Sequence, residues 1–368
     1  MNEHTILFKK AYEEGFKNKK LNFDIWLEKF GLNSILLDKL VTLNDKPELF
    51  FNRNKEIEKI AQFIGAHEKQ KKMSYINIVG SEGIGKTALL NMVQYSYKKV
   101  NTKEKIIYDL AEKFSEKLES EDEEINFYFE VFLGNLENKK IAIIDDCDKD
   151  ILHMEDNIKS LYSFPIIFLF CWRPMHWYRF KMQTKSSLDM EDCIYLKPLE
   201  INETIELIKE KVKNLKNKNV KSIAPFTEQS LKVIAELSKG IPIIALKLYS
   251  LSMRRCFQFN KAKITEEDIK KVHTEEGFKE VEQFLEECTP ITKRILKTIV
   301  VESSQKGVSI DQVSEEVDLD RTSVFYHIQK MRKCSILEEH YIKKSVFFSI
   351  KKDFIPLVDQ FLWEKREI

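Results

Sequence analysis

The chain has 368 residues, room for two or three domains at about 150 residues each. With 32% charged and 43% hydrophobic side chains it has the make-up of a globular protein and not of a disordered one. Sixty Lys and Arg against fifty-nine Asp and Glu leave a formal charge of +1, so no global field draws it to nucleic acid or anionic lipid and any such affinity has to come from a local patch.

The opening residues lack the apolar core and cleavage site of a signal peptide, and no stretch approaches the roughly 18 apolar residues of a membrane span. Six scattered cysteines, without a CxxC pair, argue against a zinc site and a disulfide framework. The expectation is a soluble, untargeted protein of a reducing cytoplasm. Residues 1–46 read as helical, with Ile6, Phe8, Tyr12 and Phe16, then Phe23, Trp26, Leu27 and Phe30, near helical spacing. A boundary falls near residue 46, and the next helix carries Ile57, Ile60, Ala61 and Ile64 on one face.

Between 75 and 197 come five short apolar runs: Tyr75 to Val79, Ile106 to Leu110, Ile141 to Ile144, Ile166 to Cys171 and Cys193 to Leu196. Most are continuous and not alternating, the pattern of strands covered on both faces, and helical or polar stretches separate them. This predicts an α/β domain over 47–199 with a five-stranded parallel sheet. The acidic segment Glu112 to Glu124 reads as a solvated face.

After Pro198 the pattern is helical only, with helices over Asn202 to Lys213, Thr227 to Lys239 and Pro242 to Cys256, and a capping-box start at Thr265 and Asp268. This is a small all-α unit over 200–283, with a Lys-rich surface turn inside Lys209 to Lys221. Over 284–368 the order is a helix through Ile291, Ile295, Leu296 and Ile299, a helix from Ser309 to Val317, an Asp318-Leu319-Asp320 turn, a helix from Arg321 to about Cys334, and an apolar ribbon broken at Lys343-Lys344. That order predicts a winged helix-turn-helix.

Of only ten glycines, three lie in Gly80-Ser81-Glu82-Gly83-Ile84-Gly85-Lys86-Thr87-Ala88, which fits G-x-x-x-x-G-K-[ST] between an apolar strand and an amphipathic helix carrying Leu89, Val93 and Tyr97. Bare backbone lets successive N–H groups turn toward a phosphate, the helix N-terminus adds positive potential, Lys86 reaches the outer phosphate oxygens and Thr87 contributes a hydroxyl to Mg²⁺. The run Ile141 to Ile144 delivers Asp145 and Asp146 at its C-terminal end, where ligands of open α/β sheets collect. Asp145 would serve the metal and Asp146 would polarise the attacking water. Arg173 leaves the next strand, with two readings open: beside the outer phosphate, or stacked on a neighbouring Trp. Arg179 and Lys181 follow, cations that a neighbouring subunit would receive as arginine fingers are received.

Together, Phe51-x-Arg53-x-x-Glu56, GSEGIGKT, IAIIDD, CWR, LKPLEINETIELI and Gly240-Ile241-Pro242 resemble the AAA+/STAND group of P-loop ATPases, including archaeal ATPases and origin-recognition initiators. The resemblance covers about 47–280, and with the winged helix nearly reaches the end. It implies ATP/ADP and Mg²⁺ as ligands, Phe51 to Ile57 (with Arg53) near the adenine, Arg173 as a sensor, Pro242 in the lid's Gly-x-Pro, and slow hydrolysis. Where initiators carry Glu after the metal-binding Asp, Asn as first sensor and an Arg after Gly-Asp, this chain has Asp146, Arg173 and Ile243. The signalling-type ATPases share the Asp pair, the Arg and the Gly-x-Pro, but no fixed-period repeat is present. A P-loop kinase or GTPase fits less well, and no N-K-x-D guanine signature is found.

The helix Arg321 to Lys333 resembles a winged-helix recognition helix. Val324, Ile328 and Met331 take the core face, leaving Arg321, Thr322, Ser323, Tyr326 and Lys330 for the major groove, with Lys343 and Lys344 on the wing toward phosphates. This helix has four basic and no acidic residues, yet 285–368 holds fourteen of each, so a packing or protein-binding role stays open beside duplex DNA. His327 reads as a core or helix-surface residue. The expectation is an ATP-binding switch whose nucleotide sets DNA binding; the alternative is a signalling or defence ATPase that oligomerises on a protein partner, with the winged helix as internal clamp.

Overall fold

A computed structural model describes residues 22–42, 50–68, 73–100, 106–107, 141–145, 147, 166–183, 193–215, 223–302, 307–343 and 345–364. Asp146, Lys344, the acidic segment 112–124 and residues 1–21 lie outside these. The chain divides into two compact units, Met1–Phe51 with Pro198–Glu276, and Asn52–Lys197 with Gly277–Ile368.

In the first unit, Phe23, Trp26 and Leu27 of the helical residues 22–28 are buried, and Phe23 and Trp26 pack on Phe257 with ring centroids 5.0 and 5.7 Å apart. Helix α1 (Ser34–Thr42) buries Leu37 and Leu40. The other helices here bear the labels α5 to α8 in chain order: α5 (Ile201–Leu215), α6 (Glu228–Leu237), α7 (Pro242–Gln258) and α8 (Glu266–Glu275). Helices α6 and α8 begin with reciprocal capping boxes, Thr227 with Ser230 and, as the sequence predicts, Thr265 with Asp268, so their first N–H groups are satisfied locally. Gly240 adopts φ +72° and packs its backbone on Leu199, whose N–H donates to the Gly240 carbonyl at 2.9 Å. A Cβ at 240 would lie 2.0 Å from the Leu199 carbonyl oxygen.

The second unit begins with α2 (Asn54–His67), which buries Ile60, Phe63 and Ile64. Its face differs from the predicted one at Ala61, which is exposed: Phe63 takes the inward position because it lies three residues from Ile60, whereas Ala61 is a 100° step away. A parallel sheet follows, with β1 (Ser74–Val79), β2 (Ile106–Ile107), β3 (Ile141–Ile144), β4 (Ile167–Trp172) and β5 (Cys193–Tyr195) in the order β2-β3-β4-β1-β5. Every residue of β3 and β4 is buried, which is why these strands read as unbroken apolar runs. A polar residue in the middle of β1, Asn77, is buried and accepts a hydrogen bond from the Trp172 indole at 3.0 Å. Helix α3 (Lys86–Val100) leaves the β1 loop, and α4 (Pro174–Gln183) follows β4.

The C-terminal part of this unit comprises α9 (Phe278–Glu286), α10 (Pro290–Glu302), α11 (Ile310–Val317), α12 (Arg321–Lys333), the antiparallel pair β6 (Leu337–Ile342) and β7 (Ser345–Ile350), and α13 (Ile355–Glu364). Val324, Ile328 and Met331 are buried, as their spacing predicts. The helix expected from Phe284 through Ile299 is broken: Phe284 to Glu286 end α9, and α10 starts at Pro290, which cannot donate to a preceding turn and opens a new helix instead. Helix α13 has no counterpart among the predicted elements. Among the described residues no helix is long and apolar enough to cross a membrane.

Gly240→Ala forces a side chain against the Leu199 carbonyl at a backbone angle that only glycine takes readily, and should cost about 2–3 kcal/mol in stability, read as a lower urea midpoint.

Candidate functional site

The site is built on the loop joining β1 to α3. Two backbone bonds anchor its base: Gly80 N–H to the Trp172 carbonyl at 3.1 Å, and Leu196 N–H to the Val79 carbonyl at 2.8 Å. Gly80 sits so tightly that a Cβ there would lie 2.7 Å from Ile84 Cγ2 and 3.1 Å from Leu196 Cβ. Gly83 and Gly85 take φ of +68° and +105°, the left-handed angles that let a short loop turn into a helix. The loop then enters α3 at Lys86, so the amides of its first turn have no intrahelical acceptor.

Lys86 is buried, and its Nζ donates to the Gly80 carbonyl at 2.9 Å and the Ser81 carbonyl at 3.2 Å. Thr87 Oγ1 donates to Asp145 Oδ2 at 2.5 Å, so the structure brings the hydroxyl of the loop and the carboxylate after β3 side by side. Asp146, the predicted water-polarising residue, lies outside the described residues. Arg53 adopts φ +70° just before α2, donates to the Lys197 carbonyl at 2.6 Å and pairs with Glu56 at 3.5 Å. Pro242 is the first residue of α7, in the other unit.

Arg173 follows β4 and points to α13. Its Nη2 donates to Asp359 Oδ1 at 2.7 Å and its Nε to Asp359 Oδ2 at 2.9 Å, a two-pronged pair with a wholly buried carboxylate 186 residues away. The same Oδ2 accepts the backbone N–H of Glu82, in the phosphate loop, at 3.0 Å. Next to it, Gln360 Oε1 accepts the Ser81 hydroxyl at 3.3 Å. Burial acts to raise the Asp359 carboxyl, but the Arg173 guanidinium beside it, the Glu82 N–H and the charge of Lys86 outweigh burial and hold it below the usual carboxylate value. Removing one partner from a buried pair of this kind generally costs about 3–5 kcal/mol, since the other charge is stranded.

Sequence reading missed Asp359 and Gln360, although a signal existed. Asp359 stands in Ile355-Pro356-Leu357-Val358-Asp359-Gln360-Phe361-Leu362-Trp363, a carboxylate in the middle of a largely apolar run, and burying such a charge is costly unless a partner compensates it.

Helix α4 is held from the same side. His176 Nε2 lies 3.2 Å from the Val300 carbonyl, which can only accept, so Nε2 carries the proton. Burial, helped by the Arg173 charge, lowers the His176 pKa to about 3; Asp359 opposes this, while Arg179 and Lys86 add to it. Arg179, the candidate cation for a neighbouring subunit, pairs with Glu302 of α10 at 2.6 Å. Tyr195, at the end of β5, stacks on Trp363 of α13 with centroids 5.4 Å apart.

The predicted nucleic-acid face lies on α12 and the hairpin. Arg321 and Thr322 are exposed, and Arg321 pairs with the exposed Asp311 at 3.0 Å. Asp320 caps the helix, its carboxylate accepting both the N–H and the hydroxyl of Ser323. Tyr326 is exposed with the Lys330 ammonium 4.5 Å above its ring, and Phe325 and Tyr341 are exposed as well. Lys343 sits at the hairpin turn with φ +55°; Lys344 lies outside the described residues. His327, half-buried, bonds the buried Thr292 of α10 at 2.9 Å.

No protein-family model matches the chain, and no curated protein does. Its structure is similar to that of the Aeropyrum pernix ORC1 protein in complex with DNA, at 15% identity, with 89% of this chain and 96% of that one covered and a TM-score of 0.52. It also matches the Aeropyrum pernix ORC2 protein in its ADPNP-ADP complexes, at 14% identity, 89% and 97% coverage and a TM-score of 0.48, and Drosophila ORC bound to DNA, at 11% identity, 88% and 90% coverage and a TM-score of 0.47. The first of these matches shows that the chain shares the fold of an origin-recognition protein, the class that its motifs resemble.

Because His176 is neutral in the folded chain and has an ordinary value of 6.5 once unfolded, the unfolded state takes up the extra proton and stability falls as pH drops below about 6.5, continuing toward about 3. Between pH 7 and 5 this group alone should remove about 2 kcal/mol. His176→Gln, which retains a donor for Val300, should lose that much less over the same interval in denaturant titrations.

Proposed function

We propose that this chain is an Mg-ATP-binding switch of the AAA+ type, a slow ATPase that converts ATP and water to ADP and phosphate in the cytoplasm and binds duplex DNA through a C-terminal winged helix. The observation that carries the reading is the joint at Gly80 to Thr87: bare backbone at the end of a central parallel strand, a buried lysine at the head of the following helix, and a hydroxyl 2.5 Å from a strand-end carboxylate. The likeness in fold to an ORC1 protein solved with DNA supports the same reading.

The residues present fit a magnesium ion. Thr87 Oγ1 and Asp145 Oδ2 are hard oxygen donors, adjacent, at the mouth of the phosphate loop, and Mg²⁺ takes few protein ligands when phosphate oxygens and water complete its shell. Bound there, it would supply positive charge against the phosphate oxygens. The chain's own groups do the rest in this reading: loop amides orient the phosphates, Lys86 turns from the Gly80 and Ser81 carbonyls to the outer oxygens, Asp146 orients the water, and Arg173 adds charge where the transition state gains it. Gly80, Ser81, Glu82, Gly83, Ile84, Gly85 and Ala88 form the cradle in this reading, and Arg53 is assigned to its nucleoside side from the family resemblance. Slow turnover is expected in this reading because Arg173 has to leave Asp359 before it can supply that charge, and Arg179 is engaged by Glu302.

The DNA assignment rests on Arg321, Thr322, Ser323, Tyr326, Lys330, Lys343 and Lys344. A second reading, a signalling ATPase that oligomerises on a protein partner with the winged helix as a clamp, is favoured by the three exposed aromatics Phe325, Tyr326 and Tyr341 and by the Arg321–Asp311 pair.

Lys86→Ala should weaken ATP binding by at least about a hundredfold in calorimetric titration while the chain remains folded; retention of wild-type affinity refutes the nucleotide site. Arg321→Glu with Lys330→Glu should weaken duplex binding and lower the salt slope by about 1 for each phosphate no longer neutralised, and an unchanged slope turns the decision to the protein-partner reading.

A further inference from the structure

We propose that Asp359 and Gln360 form an intramolecular latch on the phosphate loop, so that a nucleoside triphosphate and this carboxylate compete for the same groups. The inference rests on the reading of the loop as an ATP site and adds how that site is regulated.

Both oxygens of Asp359 are committed. Oδ1 receives Arg173 Nη2, and Oδ2 receives Arg173 Nε and the Glu82 N–H. Gln360 Oε1 receives the Ser81 hydroxyl. An amide of the phosphate loop and an arginine at the C-terminal end of the adjacent parallel strand are groups that such a fold presents to an anionic ligand, and here they are presented to an anion from the same chain. The carboxylate occupies a phosphate's chemical role: planar, negative, and accepting from a two-pronged guanidinium and a backbone N–H.

The competition has two sources: Glu82 has a single backbone N–H, which Asp359 holds, and Arg173 turns its Nε and Nη2 edge and its charge to the same carboxylate. If an outer phosphate took these groups, Asp359 would remain wholly buried with its charge uncompensated, a state far costlier than the paired one. Helix α13 would therefore have to withdraw. A diphosphate, lacking the outermost group, makes a weaker claim on Arg173 and leaves the latch closed. This gives the two nucleotides different affinities for the two arrangements, which is what any ligand-driven switch requires. Withdrawal would reach the proposed DNA-binding face, because α13 follows β7 after only residues 351–354 and its Trp363 is stacked on Tyr195 at the sheet.

The test uses the full chain and Mg-ATP or Mg-ADP as probes. Asp359→Asn retains size and hydrogen bonding but removes the charge, and the affinity for ATP should rise relative to ADP by at least about fivefold in calorimetric titration. In the wild-type chain, amide exchange of Ile355–Glu364 should quicken with ATP and not with ADP; if the variant fails to fold, this measurement decides alone. ATP binding with an unchanged ATP-to-ADP ratio in the variant, or with no nucleotide-dependent exchange in that helix, overturns the latch and leaves the nucleotide site standing. Absence of ATP binding in both chains removes the latch together with the reading beneath it.

Discussion

Backbone proximity at the end of β1 is the constraint on which the site depends. Gly80 lies so near Ile84 and Leu196 that no side chain fits, and its N–H is spent on the Trp172 carbonyl of the neighbouring strand. The loop therefore inherits its position from the sheet and has little freedom of its own. Because β1 is flanked by β4 and β5, the residue after β4, the strand end at Leu196 and the first turn of α3 meet at one edge. Lys86, Thr87, Asp145 and Arg173 are gathered there by parallel register, with Val79 level with Trp172 and Tyr195. A parallel sheet puts the carboxyl ends of its strands on one side, and this gathering is the general reason that such folds bind ligands there.

A second constraint is the buried charge at Asp359. Burying a carboxylate is unfavourable unless donors surround it, and here the donors belong to the phosphate loop and to Arg173. In the proposed latch the cost of separation would make the arrangement discrete: α13 either against the loop with its charge compensated, or away from it and solvated. Intermediate positions have neither benefit. The neutral His176 beside the same arginine has the opposite electrostatic preference, since a further positive charge among Arg173, Arg179 and Lys86 is resisted by burial and repulsion alike. One carboxylate and a row of cations thus set the local charge balance.

The loop itself was legible from sequence because its information is local. Glycines, a lysine and a hydroxyl at fixed spacing, bounded by an apolar strand and an amphipathic helix, specify one backbone course without help from distant residues. The capping box at Thr265, the inward stripe Val324, Ile328 and Met331, and the strand from Ile141 to Ile144 were legible for the same reason. The partner of Arg173 was not. Stacking on a tryptophan and reaching toward a phosphate were both open, while Trp172 bonds Asn77 and the guanidinium goes to a carboxylate near the other end of the chain. The grouping of elements was equally hidden: composition separates residues 47–199 from 284–368, whereas packing collects Asn52–Lys197 and Gly277–Ile368 in one unit and places Pro198–Glu276 with the N-terminal helices.

What the amino-acid order determined unaided is the chemistry of each segment: which strands are covered on both faces, where the backbone must be bare, which helix begins at Lys86, and which side of the helix from Arg321 is apolar. These follow from periodicity and from the conformational range of single residues, which act over a few positions. Tertiary structure alone decided that Asp359, whose place in an apolar stretch shows only that it needs a partner, faces the phosphate loop and Arg173. Pairing of charges across 186 positions depends on how whole elements pack, and no short-range pattern encodes it.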